Sequence, residues 1–299
     1  MLILCKKYLA YNAPILEMPS RWDSIFPSET TKNLVICISG APIKKGFSVL
    51  ITDCIQDLNF MEHSLCMPLY FYDKVDETSQ QMTLFDYIDE GSSSVSPKYK
   101  KRYAISDASL KKFQSVYGRK VHKEDIFYYV YAVLQHRQYI SNYGDNLSKE
   151  MPRIPMLDNF PEYVRIGKEL AEIHLNYEKP VSADDLGLGI EKSRDDYTVT
   201  KMCFAKEGKE IKKDTIIYNE YITIKNIPNR VYEYVINGKS AVEWIMERYA
   251  VSQDKNSRLS DDPNDNEHPT YIFQLLISVI KVSLQTQNLL DELPEYKEI

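Results

Sequence analysis

The sequence holds no Cys-x-x-Cys pair, no Pro-Pro dipeptide and no complete phosphate loop, and each absence closes off a class of function. Its cysteines (Cys5, Cys37, Cys54, Cys66 and Cys203) are odd in number and widely spaced. Neither a zinc site nor a disulfide framework is therefore indicated, and the expected setting is the reducing cytoplasm. No apolar run reaches the roughly 18 residues that a membrane-spanning helix needs. Met1–Tyr11 has two adjacent lysines after four residues and no small-residue cleavage pattern, so it does not read as a signal peptide.

The searches for chemistry end in partial matches. Gly238-Lys239-Ser240 has the tail of a triphosphate loop, but Glu233 stands where the first glycine must be, so that loop cannot form. Gly187-Leu188-Gly189 lies among acids after no expected strand, which leaves it short of a dinucleotide or methyl-donor turn. Without a Pro-Pro pair there is no Asn/Asp-Pro-Pro-aromatic grip for a flipped base. The histidines (His63, His122, His136, His174 and His268) show no ligand spacing and read as hydrogen-bonded structural residues. No serine lies in a nucleophile elbow. Asp196 with Glu210-Ile211-Lys212 has the loose form of a magnesium-dependent nuclease site, although Lys209–Asp214 reads equally well as a hairpin turn.

What the chain does contain is an uneven charge distribution. The formal net charge is −6, against indiscriminate coating of nucleic acid. Yet Lys98, Lys100, Lys101, Arg102, Lys111, Lys112, Arg119, Lys120 and Lys123 fall in one window with a single acid, Asp107. That window carries +8 and leaves −14 for the rest. A local basic island on an acidic chain suits contact with phosphates; the plainer reading is a solvated face of a linker and helix. The 23 tyrosines against 10 phenylalanines read mostly as core residues with bonded hydroxyls.

Short apolar runs at Asn33–Ser39, Phe47–Thr52 and Pro68–Tyr72 predict strands, and Glu90–Pro97 predicts a linker. Ser106 caps an expected helix through Leu110, Phe113 and Tyr117 that stops at Gly118. Lys123–Tyr139 and Phe160–Tyr177 have helical spacing, and Pro152 and Pro155 hold Arg153-Ile154 extended. Tyr197–Phe204, Thr215–Tyr218, Tyr221–Ile224 and Val231–Ile236 predict an antiparallel sheet. Helices are expected over Ser240–Tyr249 and Thr270–Leu290, with a turn at Gly238 between sheet and helix. The fold class is α+β: a short N-terminal β-rich part, a helical segment, then an antiparallel sheet with flanking helices. The expected division is 1–90 β-rich, 91–104 a basic linker and 105–299 an α+β domain.

Several stretches resemble the C-terminal specificity region of type ISP restriction-modification enzymes. They are Lys123-Glu-Asp-Ile-Phe-Tyr-Tyr-Val-Tyr131, Tyr143-Gly-Asp-Asn-Leu-Ser-Lys-Glu-Met-Pro-Arg-Ile-Pro155, and Gly167 to Leu170 leading to His174-Leu-Asn-Tyr-Glu178. Asn237-Gly-Lys-Ser-Ala-Val-Glu-Trp244 follows, then Asp254-Lys255 with Asp262-Pro-Asn264, all in the family's order. Lys7-Tyr8-Leu9-Ala10-Tyr11 and Pro68-Leu69-Tyr70-Phe71-Tyr72 echo, more loosely, the family's stretch after its methyltransferase core. The resemblance implies a target-recognition domain that binds duplex DNA and chooses the site for an attached adenine methyltransferase and helicase-nuclease. The family's catalytic motifs would lie ahead of Met1, which implies a piece of a longer enzyme or a split gene. It also implies no cofactor in this chain, with S-adenosylmethionine, ATP and magnesium used by the parent enzyme.

DNA contacts are accordingly expected from the basic window and from Arg153, whose proline-flanked backbone fixes where its side chain starts. A structural clamp is the competing role for Arg153. Trp244, Tyr249, Asp262 and Asn264 read as packing and turn residues. The rival functions are the magnesium-dependent nuclease of Asp196, Glu210 and Lys212, and a structural coupler that docks other domains without touching DNA.

Overall fold

The computed structural model of the chain describes residues 21–56, 61–75, 99–254 and 257–299. The expected linker Glu90–Pro97, the Lys7–Tyr11 stretch, Cys5 and Lys98 lie outside the described residues. Strands β1 (Val35–Ile38), β2 (Val49–Thr52) and β3 (Leu65–Pro68) form an antiparallel sheet in the order β2-β1-β3. β4 (Tyr70–Lys74) leaves that sheet and pairs with β5 (Tyr99–Tyr103) as a two-stranded ribbon. Residues 99–103, expected as the end of a basic linker, are thus a strand. Three consecutive cations between two tyrosines are too short and too polar a run for periodicity to mark.

β1 is buried on both faces, and its period of two divides it between two cores. Val35 and Cys37 pack with the second sheet and the C-terminal helices, while Ile36 and Ile38 pack with the helices that follow β5. The N-terminal sheet is therefore the wall shared by both cores.

Helix α1 (Asp107–Tyr117) begins and ends where its caps predict. Ser106 Oγ accepts from Ser109 N at 3.1 Å, and Gly118 takes φ +96°, a conformation costly for any residue with a Cβ. The single helix expected over Lys123–Tyr139 is two, α2 (Lys123–Gln135) and α3 (Arg137–Leu147). His136 is extended between them. Its Nδ1 accepts from Gln138 N at 3.1 Å, so it caps α3, and its Nε2 faces Pro294 O at 3.2 Å. Both partners are tertiary or local accidents of the break, and apolar spacing runs straight through it.

α4 (Phe160–Leu175) lies against α2 at very short range. A Cβ at Gly167 would stand 2.1 Å from Tyr128 O, so only glycine lets the two backbones meet there. Between α3 and α4, residues 151–156 have no regular structure, as the prolines predict. Two of their carbonyls, and that of Leu157 beside them, accept from tyrosine hydroxyls of the helices. Tyr139 donates to Arg153 O at 3.0 Å and Tyr129 to Pro155 O at 2.8 Å, while Tyr117 donates to Leu157 O at 2.7 Å. These three tyrosines share one use: a ring for the core and a hydroxyl for an orphan carbonyl.

The second sheet contains β6 (Gly189–Lys192), β7 (Cys203–Glu207), β8 (Glu210–Ile217) and β9 (Ile222–Lys225) in the antiparallel order β6-β9-β8-β7. Three expectations are corrected here. Residues 197–202 are not strand. Lys209–Asp214 is not a turn: the turn is confined to Gly208 and Lys209, with Gly208 at φ +60°, and β8 starts at Glu210. Val231–Ile236 opens as a 3-10 turn and becomes strand only at β10 (Val235–Ile236), which pairs with β11 (Lys239–Ser240). Asn237 and Gly238 both have positive φ and form a two-residue hairpin loop, so Gly238-Lys239-Ser240 runs from that loop through β11 into a helix cap. Ser240 and Glu243 cap α5 (Ala241–Arg248) reciprocally. The small hairpin β12 (Ser252–Gln253) and β13 (Ser260–Asp261) precedes α6 (Tyr271–Asp291), which lies in both cores. Among the described residues no helix is long and apolar enough to cross a membrane.

His174 ties α4 to α2 and α6. Tyr131 Oη lies against its Nδ1, and its Nε2 is 2.8 Å from Thr286 Oγ1, whose own hydroxyl donates to Val282 O. The hydroxyl proton of Thr286 is thus committed, so the ring is neutral with its proton on Nε2. Burial holds its pKa down to about 3. An unfolded histidine takes a proton near pH 6.5, so stability is lost as pH falls below that value and continues to fall toward the folded-state pKa. Urea unfolding is expected to lose about 2 kcal/mol more between pH 6.5 and 5 in the native chain than in His174→Gln. Equal losses would show that this ring is not held neutral.

Candidate nucleic-acid interface

Two tyrosines seat the β4–β5 ribbon. Tyr70 and Tyr103 face each other across the ladder with ring centroids 4.9 Å apart. Their hydroxyls donate to the same oxygen of Glu124, in the first turn of α2, at 2.7 and 3.1 Å. Burial, then the Glu124 carboxylate, pushes the Tyr70 phenol upward and keeps it a donor. On this face of the ribbon Lys101 Nζ stands 3.8 Å from the Tyr70 ring centre, and Lys123 Nζ 5.5 Å from that of Tyr103. Lys123 also pairs with Asp107 at 2.6 Å, and that ammonium holds the Asp107 carboxyl below its usual range. Lys111, one turn along α1, adds a smaller pull on the same carboxyl. Lys101, Lys111 and Lys123 are thus brought to one neighbourhood where the ribbon meets α1 and α2.

Alternation sends Lys100 and Arg102 to the opposite face of the ribbon, beside Asp73 and Phe71. Arg102 pairs with Asp73. Lys112 is exposed on α1, and Arg119 and Lys120 are exposed in the loop to α2, which Gln114 fixes by donating to Val121 O at 3.0 Å. Among the described residues Lys100, Lys101, Lys111, Lys112, Arg119 and Lys120 have no carboxylate within ion-pairing distance. An uncompensated cation cluster on an acidic chain produces a local positive field.

Arg153 stands apart from this group. Its side chain is 90% exposed and makes one pair, with Glu150 at 3.2 Å, the kind of exposed contact that contributes little. The segment is held through the backbone oxygen of Arg153, and among the described residues its side chain pairs with Glu150 alone.

The nuclease candidates do not converge. Asp196 accepts from Thr198 N at 3.0 Å within its own loop, Lys212 pairs with Glu207 at 2.7 Å, and Glu210 sits at the tip of the β7–β8 hairpin. Among the described residues no group of three His, Cys, Asp or Glu is placed to hold a metal ion. Nor does either of two surface cavities hold any of the candidate cations. The one between α4 and α6 is lined by Glu169, Glu172 and Glu292 over Ile173 and Leu289, and the other lies along the β12–β13 hairpin. Trp244 donates to Ile236 O at 2.6 Å and Tyr249 is buried. Asn264 bonds both backbone atoms of Val199, at 2.8 and 2.9 Å, and Asp262 accepts from Asn264 N. All four are packing or turn residues, as expected.

Sequence reasoning missed the supports of the site: Tyr70, Tyr103, Glu124, Asp73 and Phe71. Tyr99-Lys-Lys-Arg-Tyr103 has no alternation of apolar and polar residues, so nothing in its pattern set it apart from a linker.

Residues 4–275 match the family model described as the Type ISP C-terminal specificity domain. Among solved structures, the chain is similar to the ATP-dependent Type ISP restriction-modification enzyme LlaBIII bound to DNA, at 38% identity and a TM-score of 0.80, over 97% of this chain and 18% of that one. It is also similar to a nuclease-deletion mutant of the Type ISP enzyme LlaGI in complex with a DNA substrate mimic, at 38% identity and a TM-score of 0.72, over 93% of this chain and 19% of that one. A third similar structure is the DrdV–DNA complex, at 26% identity and a TM-score of 0.77, over 96% of this chain and 27% of that one. No curated protein matches. The chain thus spans between 18% and 27% of the length of these structures.

Proposed function

The chain belongs to the Type ISP C-terminal specificity domain family, and from that premise we propose that it recognises a duplex DNA sequence on behalf of a larger restriction-modification enzyme. The observation that carries the reading is the set of exposed, unpaired cations on β5, α1 and the α1–α2 loop of an otherwise acidic chain. Phosphates fix a DNA-binding protein's position on the duplex, and exposed Lys and Arg without carboxylate partners meet them at the lowest desolvation cost. Strand cleavage and methyl transfer fall to other parts of such an enzyme, an adenine methyltransferase and a helicase-nuclease, where S-adenosylmethionine, ATP and magnesium would bind. The separate commitments of Asp196, Glu210 and Lys212 support a non-catalytic role for this chain.

Lysine acetylation read by mass spectrometry, with and without duplex DNA, tests the surface. Lys100, Lys101, Lys111, Lys112 and Lys120 are expected to be protected by DNA. Lys201, Lys206 and Lys209, exposed on and near the β7–β8 hairpin, are expected to react as before. Protection of the second group alone would move the interface to another side of the molecule.

A further inference from the structure

We propose that Arg102 reads a guanine in the major groove, with Asp73 and Phe71 as its positioning residues; this rests on the DNA-binding reading above. Arg102 Nε donates to Asp73 Oδ2 across the β4–β5 ladder, and its guanidinium centre lies 4.9 Å from the centre of the Phe71 ring. The pair is about half exposed, with side-chain exposures of 53% and 51%. Among the described residues the two terminal nitrogens of Arg102 make no hydrogen bond. A guanidinium held by its Nε and backed by an aromatic ring presents its remaining N–H fork outward in one orientation. That fork matches the O6 and N7 acceptors of guanine, and a two-stranded ribbon fits the width of the major groove.

Two comparisons within the chain favour base reading over phosphate contact. Arg153 is more exposed, at 90%, but among the described residues its side chain has no aromatic support, so it would lose more freedom on forming a two-point contact. Asp73 is the second. Beside a phosphate a carboxylate is repelled and weakens binding, whereas beside a base-reading arginine it fixes the fork. Its position opposite Lys100 and its bond to Arg102 suit the second role. β5 pairs only with β4 among the described residues, and Lys100 to Tyr103 are exposed.

The test is selection from a library of randomised duplexes with the full chain, followed by sequencing of the bound DNA. The native chain is expected to enrich guanine at one position by roughly tenfold to a hundredfold over other bases. Arg102→Lys and Arg102→Ala are expected to flatten that position while leaving the others enriched. Asp73→Ala is expected to flatten it too, although it removes a negative charge. Unchanged thermal melting of each variant would show that the ribbon still folds. Uniform weakening of all sequences by the Arg102 variants, with tighter binding by Asp73→Ala, would make Arg102 a phosphate contact and overturn the inference while leaving DNA recognition intact. Absence of any selection by the native chain would overturn both.

Discussion

Gly167→Ala is expected to destabilise the chain by at least about 3 kcal/mol, because overpacking a rigid backbone contact leaves nothing that can yield. The new Cβ would stand 2.1 Å from Tyr128 O, and Ala132 Cβ, 3.4 Å away, blocks the sideways escape. The helices must part, and α2 and α4 carry several of the largest fully buried side chains of the core they share with Ile36 and Ile38: Tyr129, Tyr131, Tyr163, Ile166 and Leu170. In thermal melting this corresponds to a drop of roughly 6–12 °C. Gly144→Ala is the internal control. Gly144 lies within α3 with nothing inside 4 Å of an added Cβ, so the same substitution there is expected to be neutral or to stabilise by about 0.5–1 kcal/mol. A similar small effect at both positions would mean that α2 and α4 are not in backbone contact.

Reversing Lys100, Lys101, Lys111 and Lys112 to Glu is expected to weaken duplex binding at least about 100-fold near 0.1 M salt, since each lost phosphate contact also loses its released counterion. None of the four has an ion-pair partner among the described residues and all are exposed, so folding stability is expected to change little. Reversing Lys201, Lys206 and Lys209 alters the net charge in the same direction on another part of the surface. That variant is expected to bind almost as the native chain does, which separates a local interface from a general charge effect. A structural coupler that docks other domains without touching DNA would show no duplex binding to lose.

Much of the architecture was legible because it is local. The Ser106 cap, the Gly118 stop, the Pro152–Pro155 extension and the apolar spacing of α4 and α6 each depend on a few neighbouring residues. What was not legible depends on partners distant in sequence. His136 breaks a helix through a cap and a carbonyl 158 residues away, and β5 is a strand only because β4 pairs with it. Several residues in the stretches that carry the family resemblance are joints of the fold. Gly167 admits a backbone oxygen, His174 ties three helices, Asn237-Gly238 turns a hairpin, and the segment around Arg153 is pinned by tyrosine hydroxyls. The candidate site was legible only as a charge excess. Its orientation required the ribbon's two faces, which put Lys101 with Lys123 and sent Lys100 and Arg102 the other way.

The most direct measurement is the salt dependence of duplex affinity for the native chain and for the four-lysine reversal. If β5 and α1 neutralise phosphates, the logarithm of the native association constant falls steeply with the logarithm of salt concentration, by about 0.9 per contact, and the reversed chain gives a distinctly shallower line. Two parallel lines, or a native line that is nearly flat, would contradict it: the cations would then be facing water and the duplex would be held elsewhere.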